Sequence, residues 1–192
     1  MHALTRPPPT RRTRRRGWAR LGLLLAGALI AQPGEATPST ALEQAVKASF
    51  LFKFAPFVEW PPTAFSAGDK AFLICVAGED PFGSVLDDVV RGQRMANRPV
   101  RVRRLGPTGS PTGCHMLFAG RSAESAYAPF APLAGQPVLT VSDRNGGPTG
   151  AMIQFVMQAG RVRFQIDDGA ARACKLKISS KLLALAVAVD RK

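Results

Sequence analysis

The chain contains few of the side chains from which catalytic and metal centres are built. Its 192 residues include two histidines, three cysteines and one tyrosine, and His115 is the one histidine beyond residue 36. No C-x-x-C or H-x-x-x-H spacing occurs, so the common zinc patterns are excluded. The G-x-S-x-G, S-x-x-K and Walker A motifs are absent as well. We therefore expect no catalytic residue, no metal ligand and no cofactor, and we do not expect an enzyme.

Acidic residues are half as common as basic ones. The 13 Asp and Glu residues stand against 26 Lys and Arg, which gives a formal charge of +13. Residues 1–36 hold seven of the arginines and Glu35 as their one acid, so the remainder is closer to neutral. Within that remainder one basic cluster lies on a predicted strand without interleaved aromatic residues, and a nucleic-acid surface is therefore not expected. We interpret the cluster as a solvated strand face, with contact to an acidic partner or anionic lipid as the alternative; its members are Arg98, Arg101, Arg103 and Arg104.

No apolar run is long enough to cross a membrane. The uncharged run from Leu21 to Ala31 has 11 residues, whereas a membrane-spanning helix needs about 20. Arginines precede this run and the small residues of 34–36 follow it, which is the pattern of a secretory signal. We expect residues 1–36 to be a cleaved signal peptide and residues 37–192 to form a domain exported to a bacterial periplasm. An uncleaved interfacial anchor is the alternative interpretation.

The apolar pattern beyond residue 37 predicts alternating helices and strands. Continuous apolar runs indicate buried strands, and alternation indicates half-buried ones. We expect strands at 71–77, 99–105, 114–119, 138–142, 151–158 and 161–166. We expect helices at 41–59, 81–91 and 122–133, a helix that starts at Asp168, and a last helix at 181–189. This order predicts an α/β fold: a single layered domain with a mixed β-sheet, helices packed on it, and a C-terminal β-hairpin followed by helices.

Several residues predict where these elements start and stop. Pro56 should break the first helix near Ala55, because proline lacks an N–H and clashes with the preceding turn. Asp80 is a suitable N-cap for the helix at 81–91, and the glycine-rich turn around it is a poor anion site since its acidic residues would repel an anion. Ala159-Gly160 is expected to connect the two strands of the hairpin.

The three cysteines leave more than one interpretation open. Cys75 and Cys114 lie on strands that should be close in the sheet, so a disulfide between them is possible in an oxidising compartment. Cys174 would then be left over, either simply buried or paired with another molecule. Cys114 and His115 are adjacent on a strand and therefore point to opposite faces, which argues against a thiol–imidazole dyad.

Three groups of segments resemble the YfiR-like family of periplasmic proteins. The first is KASFLFKFAPFVEWP at 47–61, and the second is CVAGEDPFG at 75–83 together with Gly92 and RPVRVRR at 98–104. The third comprises GAMIQF at 150–155, RVRFQID at 161–167 and LKISSKLL at 176–183. They occur in the family's order, and together they span about residues 42–189, nearly all of the expected mature chain.

The resemblance implies a periplasmic regulator of α/β fold without enzymatic activity. The best-understood members of the family bind the periplasmic sensing domain of an inner-membrane diguanylate cyclase and repress the synthesis of cyclic di-GMP. An outer-membrane lipoprotein can sequester them, they form homodimers, and they take small aromatic ligands. The competing interpretation is an exported ligand-binding accessory domain of an outer-membrane receptor or sensor-kinase system, because the family also occurs beside those proteins. A cysteine-dependent redox protein is a third interpretation, although no residue that would lower a thiol pKa is visible in the sequence.

We expect the recognition surface at the end of one strand and the start of the last helix. A helix start with hydroxyl caps and N–H donors can bind a carboxylate, although the serines there could simply cap their own helix. Compared with the family, Gln165 and Asp167 stand where Glu and Asn are more frequent, and Gln165 in place of Glu weakens recognition of a cationic group at that position. Pro56 and Ala151 also depart from the usual pattern. The expected binding residues are Gln165, Asp167, Ser179, Ser180 and Lys181, with Arg101 from the basic cluster.

Overall fold

A computed structural model describes residues 38–65, 68, 70–106, 109–121 and 130–192. The expected signal peptide at 1–36 and most of the expected helix at 122–133 lie outside this part of the chain. Within it, none of the helices combines the length and the apolar character that a membrane span requires.

The described residues form four helices and ten strands, with short 3₁₀ turns at Ala55–Phe57, Pro62–Ala64 and Ala131–Leu133. The helices are α1 (Pro38–Phe54), α2 (Ser84–Val90), α3 (Asp168–Ala173) and α4 (Ser180–Leu185). The first five strands are β1 (Val58–Glu59), β2 (Phe72–Ala77), β3 (Arg94–Met95), β4 (Arg98–Leu105) and β5 (Met116–Ala119). The other five are β6 (Leu139–Asp143), β7 (Ile153–Gln158), β8 (Arg161–Asp167), β9 (Lys177–Ile178) and β10 (Ala188–Asp190).

The strands build one mixed sheet of eight strands in the order β10-β8-β7-β6-β5-β2-β4-β3. Strands β4, β2, β5, β6 and β7 are parallel. Strand β3 is antiparallel to β4, β8 is antiparallel to β7, and β10 is parallel to β8. A separate pair joins β1 to β9. After β4 the chain returns past β2 to continue on its other side with β5, so the strand order reverses between β2 and β5. The expected α/β fold with a mixed sheet is confirmed.

The sheet buries both of its faces, but unequally. Phe72, Ile74 and Val76 of β2 belong to the large core that includes residues of α1 and α2. Cys75 and Ala77, which alternate with them, belong to a smaller cluster. Burial of a large apolar side chain contributes about 1.5–3 kcal/mol, so the larger core supplies most of the stability and fixes α1 on the sheet.

The sequence locates the interior of most elements correctly. The break at Pro56 is confirmed, since α1 ends at Phe54 and gives way to a 3₁₀ turn. The hairpin of β7 and β8 is confirmed as well. Its two turn residues, Ala159 and Gly160, have φ values of 49° and 71°, which is the left-handed backbone that such a turn requires.

Three expected helix boundaries are wrong. The helix expected at 41–59 stops at Phe54, because the residues after Pro56 leave the helix for β1. Asp80 is not the N-cap of α2, which begins at Ser84 after Gly83. Its carboxylate instead accepts hydrogen bonds from the N–H groups of Phe82 and Gly83 at 2.8 and 3.3 Å, so it stabilises the turn before the helix.

The last expected helix, 181–189, is also too long. Helix α4 ends at Leu185, and β10 follows it along the open edge of β8. The N–H of Val187 donates to the carbonyl of Phe164 at 3.0 Å and starts this pairing. Valine favours a strand over a helix, and the unpaired edge of β8 offers it hydrogen-bond partners.

Candidate functional site

Five of the expected binding residues lie near the C-terminal end of the chain and are here called the C-terminal surface: Gln165, Asp167, Ser179, Ser180 and Lys181. Gln165 and Asp167 lie on β8 opposite β10, and the other three lie at the start of α4. Ser180 and Lys181 are exposed, while the remaining three are partly buried. No observation tests whether these residues bind a partner, so this assignment stays a prediction.

Two members of the C-terminal surface act as helix caps. The carboxylate of Asp167 accepts a hydrogen bond from the N–H of Ala170 at 2.7 Å and caps α3. The hydroxyl of Ser179 accepts from the N–H of Leu182 at 3.3 Å and caps α4. This self-capping role was the alternative interpretation of the serine pair, and at Ser179 the geometry agrees with it. Ser180 and Lys181 are therefore the members with side chains most available to a partner, whereas the side-chain oxygen of the partly buried Gln165 accepts a hydrogen bond from Arg144 at 3.4 Å.

Arg101 lies far from the C-terminal surface. It projects from β4, which is separated from β8 by β2, β5, β6 and β7. At the usual spacing of neighbouring strands, this separation is about 24 Å. A partner that contacts Arg101 and Lys181 together would have to span most of the sheet.

The other arginines of the basic cluster are held by neighbouring groups. Arg104 donates to the carboxylates of Asp80 and Asp87 at 2.6 and 2.7 Å. Arg103 donates to the carbonyl of Thr112 at 2.6 Å, and the guanidinium of Arg98 lies 4.7 Å from the ring centre of Phe65. Arg101, which is exposed, is thus the member best placed to meet a partner.

The bond from Arg104 lowers the pKa of Asp87 below its ordinary value of 3.8. A carboxyl group with a lowered pKa stabilises the fold above its unfolded pKa, and this contribution is lost as the pH falls through the folded value. We expect Arg104→Met to raise the pKa of Asp87 towards 3.8, whereas Arg101→Met on the same strand leaves it unchanged. Carboxyl-detected NMR titration of both variants and the parent measures this. An unaltered Asp87 titration in Arg104→Met would contradict the assignment.

The three cysteines form one disulfide and leave one free thiol. Cys75 and Cys114 are bonded, with their Cα atoms 5.9 Å apart, so β2 is linked to the segment that leads into β5. Cys174 is free and buried, which agrees with the simpler of its two interpretations. His115 is buried and accepts a hydrogen bond from the N–H of Leu73 at 3.1 Å through Nδ1. Because the sulfur of Cys114 is in a disulfide, it is not a nucleophilic thiol beside His115.

Sequence reasoning missed a buried ion-pair cluster centred on Lys47. This lysine lies on α1 and is 1% exposed. Its ammonium contacts the carboxylates of Glu43, one helical turn earlier, and of Asp143, at the end of β6. The spacing of Glu43 and Lys47 was visible in the sequence as an ordinary helix pair. The burial of Lys47 and its contact with Asp143, however, depend on how α1 packs on the sheet. In the described part of the chain, no group of three or more His, Cys, Asp or Glu side chains is arranged to hold a metal ion.

The described residues define a class of protein: a layered α/β fold with a mixed sheet and one disulfide. The model of the YfiR/HmsC-like family matches residues 44–187, and the chain belongs to that family. The match begins within α1 and includes every strand of the eight-stranded sheet except β10. No curated protein is significantly similar to the chain. The family is one of periplasmic, regulatory proteins of diguanylate cyclase signalling.

Proposed function

We propose that this protein is a non-enzymatic periplasmic repressor that binds the periplasmic sensing domain of an inner-membrane diguanylate cyclase. Binding lowers the synthesis of cyclic di-GMP. The observation that carries the proposal is the family match over residues 44–187. The proposal includes export through a signal peptide at 1–36, with 37–192 as the mature domain. The Cys75–Cys114 disulfide supports it, since such bonds persist in oxidising compartments.

The C-terminal surface is the proposed contact with the cyclase. Lys181 offers a positive charge one helical turn before Leu185, a residue of α4 that is 57% exposed, and Gln165 and Ser180 add hydrogen-bonding groups to the same surface. An apolar anchor surrounded by polar groups is the usual composition of a protein interface. The proposal also includes a homodimer, sequestration by an outer-membrane lipoprotein and a small aromatic ligand, all of which rest on the family.

In the first experiment, the protein is crosslinked to its partners on intact cells and is then recovered from a membrane extract of the same cells. We expect recovery of an inner-membrane diguanylate cyclase, and we expect deletion of the gene to raise cellular cyclic di-GMP. Recovery of outer-membrane receptors alone, with cyclic di-GMP unchanged on deletion, would overturn the proposal and support the accessory-domain interpretation.

A charge reversal then tests the C-terminal surface. We expect Lys181→Glu to weaken cyclase binding about tenfold, because it replaces an interfacial cation with an anion. Lys70→Glu is the matched control, since Lys70 is an exposed lysine just before β2. Binding measured with the purified periplasmic domain of the cyclase should distinguish the two. If both variants bind the cyclase domain with the same affinity, Lys181 is not part of the interface.

A further inference from the structure

A cavity of about 420 Å³ lies where the strand order of the sheet reverses. It opens at the carboxyl ends of β2, β5 and β6 and is bounded on one side by the first half of α1. In open α/β sheets, ligands bind in the crevice outside the carboxyl ends of the strands at this reversal point. The volume is within the range of small-molecule sites. The position therefore marks the cavity as a candidate ligand site distinct from the C-terminal surface.

The rim of the cavity is held in place by backbone hydrogen bonds. The N–H of Glu79 donates to the carbonyl of Arg121 at 2.8 Å, and the N–H of Gly120 donates to the carbonyl of Ala77 at 2.9 Å. These bonds join the loop after β2 to the loop after β5. A Cβ at Gly120 would lie 2.1 Å from the carbonyl oxygen of Glu79, so glycine is required for this close approach. The cavity is thus built into the fold.

Carboxylates outnumber cations in the lining. The lining contains three carboxylates, those of Glu43, Glu79 and Asp143, and two cations, Lys47 and Arg121. Its formal charge is therefore −1. Lys47 is buried between Glu43 and Asp143, and Arg121 lies 3.6 Å from the carboxylate of Glu79 at the exposed side. Both cations are therefore already paired. The lining favours a cation over an anion.

Among the described residues, one that lines the cavity has a buried polar atom without a hydrogen-bond partner. The side-chain oxygen of Gln44 is buried, and no described residue donates a hydrogen bond to it. Gln44 lies on α1 beside Glu43 and lines the cavity. A buried acceptor without a donor is destabilising by about 1–3 kcal/mol. A ligand that donates hydrogen bonds would remove this penalty, whereas a ligand with acceptors alone would not.

We propose that the cavity binds a small molecule through a primary ammonium group. The ammonium donates to the side-chain oxygen of Gln44 and neutralises the excess carboxylate charge of Glu43 and Asp143. An ammonium group offers three N–H donors and no acceptor. This matches the cavity, because its lining offers carboxylate and amide oxygens as acceptors and its two cationic side chains are already paired. This site is independent of the proposed cyclase contact.

A titration with three molecules of the same size tests the charge requirement. The probes are butylamine, 1-butanol and butyrate, added at constant pH and ionic strength to ¹⁵N-labelled protein produced from the full-length chain. We expect saturable amide shifts at Gly120, Arg121 and 144–147 with butylamine. We expect 1-butanol to bind at least about tenfold more weakly than butylamine, and we expect butyrate not to bind. Equal binding of butyrate, or shifts confined to other parts of the chain, would overturn the proposal.

Substitutions in the lining then test the residues. We expect Gln44→Leu to weaken butylamine binding about tenfold, since it removes an acceptor for a charged donor. Gln44→Glu should strengthen binding, because it adds a carboxylate at the same position. Glu43→Gln should weaken binding several-fold, whereas Glu59→Gln, an exposed glutamate on β1, is the matched control and should not. Spectra of the unliganded variants establish that each is folded. An unchanged affinity in both Gln44 variants would exclude this residue as the acceptor.

Discussion

Replacement of both Cys75 and Cys114 by alanine is expected to lower the free energy of unfolding by about 4 kcal/mol. The disulfide joins residues 39 positions apart, so it restricts a long loop of the unfolded chain. Both cysteines are also buried in the smaller core cluster on one face of the sheet, and removal of their sulfurs leaves a small void. Urea unfolding of the parent and the double variant, followed by circular dichroism, measures the difference.

Two controls separate the covalent link from the packing of the sulfur atoms. Cys174→Ala removes a buried thiol that is not in a disulfide, and we expect a loss of only about 1 kcal/mol. A reductant should destabilise the parent but leave the double alanine variant unchanged. If the reductant shifts neither protein, the disulfide does not contribute to stability.

The same variant addresses the redox interpretation of the cysteines. If the disulfide serves only stability, the double alanine variant should still repress cyclic di-GMP at a temperature where it is folded. If thiol exchange were the function, repression would be lost while the circular dichroism spectrum remained that of a folded protein. The burial of both sulfurs favours the structural role, since thiol exchange requires access of the attacking thiolate.

The fold could be predicted well where a local pattern decides the structure. The buried strand at 72–77 has no polar residue, and the turn at Ala159-Gly160 supplies the required backbone conformation. The sequence was misleading at the C-terminal end, because residues 182–189 are apolar enough for either a helix or a strand. The choice of a strand depends on the open edge of β8, which is a property of the assembled sheet.

The candidate sites also differ in how far a local sequence pattern predicts them. The cap at Ser179 follows from local spacing and was one interpretation of the serine pair, whereas the cap at Asp167 was not predicted. The cavity was not visible, because its lining residues come from α1 and from loops that follow three different strands. Lys47 in particular has the spacing of an ordinary helix ion pair with Glu43. Its burial against Asp143, 96 residues later in the chain, is set by the packing of α1 on the sheet.

The second large effect is expected at Lys47. We expect Lys47→Met to lower the free energy of unfolding by about 3 kcal/mol, because it leaves the carboxylates of Glu43 and Asp143 close together without a cation. Methionine has a similar length and flexibility, so a void contributes little. Lys53→Met, at an exposed lysine on the same helix, is the matched control and should change stability by less than about 0.5 kcal/mol. Urea unfolding of both variants measures the difference.

The triple variant Glu43→Gln, Lys47→Met, Asp143→Asn distinguishes loss of the cation from loss of packing. It removes all three charges, so it should recover most of the stability that Lys47→Met alone loses, as expected for residues that act as one cluster. Failure to recover would assign the loss to packing. Amine binding should change in the opposite sense to stability, because Lys47→Met makes the cavity more negative and should bind butylamine more tightly than the parent does. A fall in both stability and amine affinity would mean that Lys47 shapes the cavity, and the electrostatic argument for an ammonium ligand would then fail.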